Sequence, residues 1–283
     1  MVKILAKKNK NNISFSDIES RIVGVSETVG NISAVFYGRS GTGKTTLSAS
    51  FPKPILLVDI KEQGNDSIAD YSDDEIKVFP VETWDDIEQV YWFLKSGSHS
   101  FKTVVLDTVT QMQDLCLAQV LEDEGKDFAT KQVWGTVSGL MKTWLINFRD
   151  LSEEGMDVVF IAQERVHDSE TEDEDNEGQI DPTVGPRLMP SVAAVLNASV
   201  KVIGHTFIRE VVKRNLDSIK RKTYYCLRVG PHPYYTTKIR KPKNTECPDF
   251  ITDPTYDKII AIMRGKYSAD EAEKKKKKKK SSK

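Results

Sequence analysis

Cysteine is scarce in this sequence, and long apolar runs do not occur. The three cysteines, Cys116, Cys226 and Cys247, stand far apart with no C-x-x-C pair. That spacing argues against both a disulfide framework and a thiolate zinc site, leaving plain thiols. His99, His167, His205 and His232 also lack ligand spacing, so none is assigned to a metal. The longest apolar stretches, such as residues 54 to 58 and 158 to 162, fall far below the roughly 18 residues a membrane span needs. No membrane partner is expected. Behind the basic start MVKILAKKNK no apolar segment of signal-peptide length follows, so a cytoplasmic protein is expected.

What is present is the composition of a globular chain: 283 residues, 39% hydrophobic and 29% charged, enough for one large domain or two small ones. Charge is balanced over the whole chain, at 41 basic against 42 acidic residues, but not along it. Residues 168 to 181 hold eight acids and no Lys or Arg, which reads as a solvated loop. Residues 201 to 243 hold twelve Lys or Arg against Glu210 and Asp217, with Tyr224, Tyr225, Tyr234 and Tyr235 interleaved. The end of the chain, EKKKKKKKSSK, is low-complexity and cannot build a core. Three segments follow: an arm or edge element over 1 to 28, a folded core over 29 to 265, and a disordered lysine-rich tail over 266 to 283.

Within the core, short apolar runs alternate with helical patterns. Strands are predicted over 32 to 37, 55 to 58, 76 to 79, 103 to 106 and 158 to 162. Helices are predicted after the glycine-rich turn at 38 to 43, from the capping signal Thr83 to Asp86 up to Ser96, after Asp107, and from about Lys131 to Leu151. This alternation implies a mainly parallel sheet flanked by helices. Beyond the acidic loop, a helix near 191 to 196 precedes strand-like segments at 200 to 208, 223 to 229 and 234 to 239, read as antiparallel additions to the sheet. Trp84, Trp92, Trp134 and Trp144 all fall in helical patterns, where packing in the core is the expectation for each.

One motif carries specific chemistry. Gly38, Arg39, Ser40, Gly41, Thr42, Gly43, Lys44 and Thr45 match G-x-x-x-x-G-K-[ST], the phosphate-binding P-loop. Its glycines let backbone N–H groups turn inward around an anion, Lys44 reaches the β and γ phosphates, and Thr45 offers a hydroxyl to Mg2+. The expected ligand is ATP with Mg2+, cradled by residues 38 to 46 including Thr46. Such a site needs an acid at the end of a neighbouring buried strand, and Asp107 closes the run Thr103 to Leu106. Thr108 follows it rather than a glutamate, so the water-activating base must come from elsewhere. All strand C-termini of a parallel sheet open on one edge, which makes Glu62, after the second strand, the chosen general base with Asp59 its rival. Gln163, at the end of the fifth strand, would face the same edge as a γ-phosphate sensor, and a structural glutamine is the other reading.

Together the P-loop, Glu62, the hydrophobic-Asp-Thr at Asp107 and the hydrophobic-Gln at Gln163 resemble the RecA-type ATPase core. In that family the segment after the Gln strand faces single-stranded DNA; here residues 164 to 186 are strongly acidic, and acids repel phosphates. The basic, tyrosine-bearing stretch downstream is the better electrostatic candidate for DNA, with a lysine-protected sheet edge as the alternative. Lys238 and Arg240 resemble the Lys-x-Arg fingers with which such cores reach a γ phosphate held by the next subunit, which implies a head-to-tail ring or filament; two exposed strand cations are the plainer reading. The short core and the RVGPHP stretch at 228 to 233 resemble the phage-encoded core-only RecA-like ATPases, whose Sak-type subset acts in single-strand annealing and recombination. That resemblance implies a Mg-ATPase acting on single-stranded DNA in the host cytoplasm, with a single-strand-binding or replication protein as a further partner. A helicase-type motor or loader and an ATP-dependent protein-partner switch are the alternatives.

Overall fold

The computed structural model describes residues 15–22, 24, 30–62, 64–166, 184–215 and 218–267. The acidic stretch 168–181, His167, the lysine run 274–280 and the first 14 residues lie outside them. The chain divides into two units, 1–30 and 31–283. Within the first, α1 (Phe15–Arg21) exposes Phe15 and Ile18.

The second unit is built on a nine-stranded sheet. Its elements are β1 (Ser33–Tyr37), α2 (Lys44–Ser48), β2 (Ile55–Asp59), β3 (Ile76–Pro80), α3 (Trp84–Lys95), β4 (Thr103–Asp107), α4 (Val109–Asp123) and α5 (Lys131–Asp150), then β5 (Asp157–Ala162). After β6 (Glu164–Val166) and β7 (Val184–Pro186) come α6 (Pro190–Ser199), β8 (Val202–Asn215), β9 (Ser218–Arg228), β10 (Lys238–Ile239), β11 (Ile251–Thr252) and α7 (Tyr256–Met263). The strand order is β11-β9-β8-β1-β5-β4-β2-β3, with β10 also paired to β8. From β8 to β3 all pairs are parallel; β9, β10 and β11 are antiparallel additions.

The central strands are continuous apolar runs because both faces are covered. Every residue of β1, β2, β4 and β5 is buried. Val35, Val58, Leu106 and Phe160 face one cluster with α3 to α6, while Phe36, Leu57, Val105 and Ile161 face the other with Leu47, Phe51 and Ile259 of α7. The helices start where polar caps meet periodic apolar residues. Asp86 Oδ2 accepts from the Thr83 backbone N–H at 2.8 Å at the head of α3, and the hydroxyls of Thr108 and Thr130 accept from Gln111 and Val133 N–H groups ahead of α4 and α5. Along α5 the buried side chains Val133, Val137, Met141, Trp144, Leu145 and Phe148 form one stripe. Each is worth about 1.5–3 kcal/mol when fully buried.

Three expectations need correction. Trp92 is 60% exposed, unlike buried Trp84 and Trp144, because it lies off the stripe formed by Ile87, Val90, Tyr91 and Leu94 on α3. β8 begins parallel to β1 and only its partners run antiparallel. The segment predicted as a strand over 234 to 239 is ladder only at Lys238 and Ile239, with one bridge from Tyr235 to Val184. Among the described residues no helix is long and apolar enough to cross a membrane.

Candidate active site

The P-loop leaves the end of β1 and closes on the head of α2. Gly43 has φ 85°, a left-handed conformation that a side chain would strain. Gly38 is fixed by crowding, since a Cβ there would lie 2.4 Å from the Thr206 carbonyl and hydroxyl oxygens of β8. Thr206 also shares a hydrogen bond of 2.7 Å with Thr42 and donates to the Tyr37 carbonyl at 3.1 Å, so β8 braces the loop from behind.

Lys44 Nζ donates to the carbonyls of Gly38, at 3.0 Å, and Arg39, at 2.8 Å. Burial lowers its pKa, against the pull of Asp107, Glu62 and Glu164. Thr45 Oγ1 donates to Asp107 Oδ2 at 2.8 Å. Asp107 is 4% exposed, and burial pushes its pKa up to about 6, with the Thr45 hydrogen bond opposing. A buried carboxylate beside a hydroxyl, next to where phosphate oxygens would lie, is an all-oxygen donor set that suits Mg2+. The described residues hold no cluster of three or more His, Cys, Asp or Glu that could bind a metal alone, and a P-loop metal needs none, since phosphates complete its shell.

The parallel register brings the ends of β2, β4 and β5 to this same edge. Just beyond β2, the Glu62 N–H donates to Asp59 Oδ1 at 3.1 Å, and Glu62 Oε1 accepts from Gln163 Nε2 at 2.8 Å. Lys44, Thr45, Asp107, Glu62 and Gln163 therefore surround one space. Lys238 and Arg240 do not join them. β10 pairs with Val202 and Ile203 of β8, away from the P-loop end of β1, and Lys238 Nζ donates to the Asn197 and Ala198 carbonyls at the end of α6.

Two further residues escape sequence reasoning. Arg187, after β7, donates from Nη1 to Gln163 Oε1 at 3.1 Å and from its backbone N–H to the Gln163 carbonyl at 2.7 Å. Glu164, next to Gln163, contacts Arg39 and His205. Neither carries a local signal, because the partners are 24 to 125 positions apart in sequence.

A P-loop at the end of a central parallel strand, an acid at the end of β4 and polar residues at the ends of β2 and β5 define a P-loop ATPase with a RecA-like core. A profile of the AAA domain family matches residues 30–240, and the chain belongs to that family. Among solved structures, the flagellar accessory protein FlaH from Methanocaldococcus jannaschii is similar at 10% identity and a TM-score of 0.38, over 80% of this chain and 85% of that one. No protein of curated function matches the sequence.

Proposed function

We propose that the chain is a Mg-dependent ATPase that acts on single-stranded DNA, in recombination or annealing of the phage Sak type, as a head-to-tail oligomer in the host cytoplasm. One observation carries the DNA reading: the ribbon formed by β8 and β9. Past the last residue paired with β1, His205, ten residues of β8 pair only with β9; the last eight, from Ile208, also lie beyond the reach of β11 and form a two-stranded arm roughly 26 Å long at about 3.3 Å per residue. Residues 205 to 228 hold seven Lys or Arg and two acids. Arg209, Arg221 and Lys222 are exposed, and the Lys222 ammonium sits over the Tyr224 ring, 4.4 Å from its centroid. Cations that neutralise phosphates and rings that stack on bases suit a single strand without sequence preference.

In hydrolysis Lys44 exchanges its two neutral carbonyl partners for the β and γ phosphates, whose negative charge the carbonyls do not offer. Glu62 takes the proton of the attacking water, and Gln163, now bonded to Glu62, orients that carboxylate and reports the γ phosphate to Arg187. Thr45 and Asp107 would hold Mg2+, which when bound neutralises charge on the phosphates. Lys238 and Arg240 act in trans, on the phosphate of the next subunit.

ATP hydrolysis with and without single-stranded DNA, for the full chain and for a version ending at Ala269, tests this. Stimulation that survives removal of the lysine tail but is lost in an Arg221→Glu/Lys222→Glu chain is expected. No stimulation at low salt in any version refutes it. The eight acids at 168 to 181 favour, as a second reading, an ATP-dependent switch for a basic protein partner such as a replication protein, which would bind without DNA.

A further inference from the structure

Two neighbouring residues just past β5 contact different sides of the P-loop edge: Gln163 bonds to Glu62 and Glu164 to Arg39. Glu164 Oε1 accepts from Arg39 Nε at 2.9 Å, and its Oε2 lies 3.2 Å from His205 Nε2. The partners differ in burial: the Arg39 side chain is 84% exposed, those of Glu164 and His205 18% and 6%. His205 is itself wedged against Tyr235, with ring centroids 4.3 Å apart. Glu164 is thus fixed from behind, and Arg39 is the member able to leave. An ion pair with so exposed a cation is weakly held in water.

The position of Arg39 says where it would go. Its carbonyl accepts from Lys44 Nζ, the ammonium that serves the β and γ phosphates. The charge of Glu164 is felt at that same ammonium. A terminal phosphate arriving beside Lys44 therefore comes within a side-chain length of the Arg39 guanidinium. It offers more charge than one carboxylate and oxygens that match the guanidinium fork. A diphosphate ends one group short.

We propose that Arg39 is a γ-phosphate ligand that Glu164 holds ready beside the site, so that ATP draws it off and ADP does not. This rests on the ATPase reading of the site. Glu164 is a positioning residue in this scheme. It opens β6, whose partner β7 leads into Arg187, so departure of Arg39 removes a cation from the root of the β6–β7 ribbon only in the ATP state.

The test is calorimetric binding of a non-hydrolysable ATP analogue and of ADP, each with Mg2+, to the full chain and its Arg39→Ala, Arg39→Lys, Glu164→Gln and Lys44→Ala variants. Loss of one charge-assisted contact predicts that Arg39→Ala weakens the analogue about tenfold or more and ADP less than about twofold, with Arg39→Lys recovering part. Glu164→Gln, which frees Arg39, should tighten the analogue a few-fold and leave ADP unchanged. If Arg39→Ala weakens both nucleotides equally or neither, the role of Arg39 is overturned while the ATPase reading stands. If Glu164→Gln does not tighten the analogue, the role of Glu164 in holding Arg39 is overturned. A wild-type chain that binds neither nucleotide, or a Lys44→Ala chain that binds both as wild type does, overturns the ATPase reading beneath them.

Discussion

Replacing Asp107 with asparagine should stabilise the nucleotide-free protein, and more so as pH rises. Burial raises the folded-state pKa of this carboxyl from 3.8 to about 6. Between those values the folded chain binds a proton that the unfolded chain has lost, so stability falls as pH increases through the window and is lowest above the folded pKa. The full difference, at about 1.36 kcal/mol per pKa unit, is about 3 kcal/mol. Roughly half of that is lost below about pH 5 and the rest, on the order of 1 kcal/mol, between about pH 5 and 8. The amide of the Asp107→Asn chain would not titrate and can still accept from the Thr45 hydroxyl, as the wild-type carboxylate does at 2.8 Å. Denaturant melts of both proteins at several pH values give the stability gap directly, and titrating groups other than those coupled to Asp107, namely Glu62, Lys44 and Asp59, cancel between them. The gap should widen by on the order of 1 kcal/mol from about pH 5 to 8. Mg2+ with ATP at about pH 8 should reverse the order, since only the carboxylate gains a cation partner. A gap that is flat or narrows with pH would refute the reasoning that desolvation of Asp107 dominates its energetics.

Other consequences are sharper for function. Glu62→Gln should keep nucleotide binding while lowering phosphate release by about 10²–10⁴, the usual share of a general base; a wild-type rate would remove Glu62 from that role in favour of Asp59. Gly38→Ala places a methyl 2.4 Å from two Thr206 oxygens and should cost about 1–3 kcal/mol in a melt, whereas an unchanged melt would mean that β8 does not brace the loop. Lys44→Ala chains and Lys238→Ala/Arg240→Ala chains should each be inactive, yet regain part of the ATPase when mixed, because one interface then joins an intact P-loop to intact fingers. Failure to complement at assembling concentrations would return Lys238 to capping α6.

Much of the architecture is legible in the sequence because its cause is local. β1, β4 and β5 are apolar runs that only a covered sheet explains, and α5 shows its buried stripe as a 3–4 spacing over 20 residues. The ribbon of β8 and β9 is longer than its sequence signal, because the parts of these strands that run past β1 and β11 lack an apolar run to mark them. The short β11 and α7 escape a sequence reading too: β11 has two residues, and α7 needs Phe51 and the sheet to supply its partner surface.

The phosphate-loop motif is legible in the chain alone, since its residues come from one contiguous stretch, 38 to 45, with the glycines and Lys44 in order. The chain also sets Asp107 and Gln163 at the ends of buried strands. Which distant residues meet there depends on how the strands are ordered in the folded sheet. The parallel register of β2, β4 and β5 carries Glu62 to Gln163 across 101 positions, and the return through β7 brings Arg187 to the same amide. The crossing of β5 beside β1 sets Glu164 against Arg39 and His205. Such contacts leave no periodicity in the chain, because they are made by strand ends that share an edge and not by residues that share a segment.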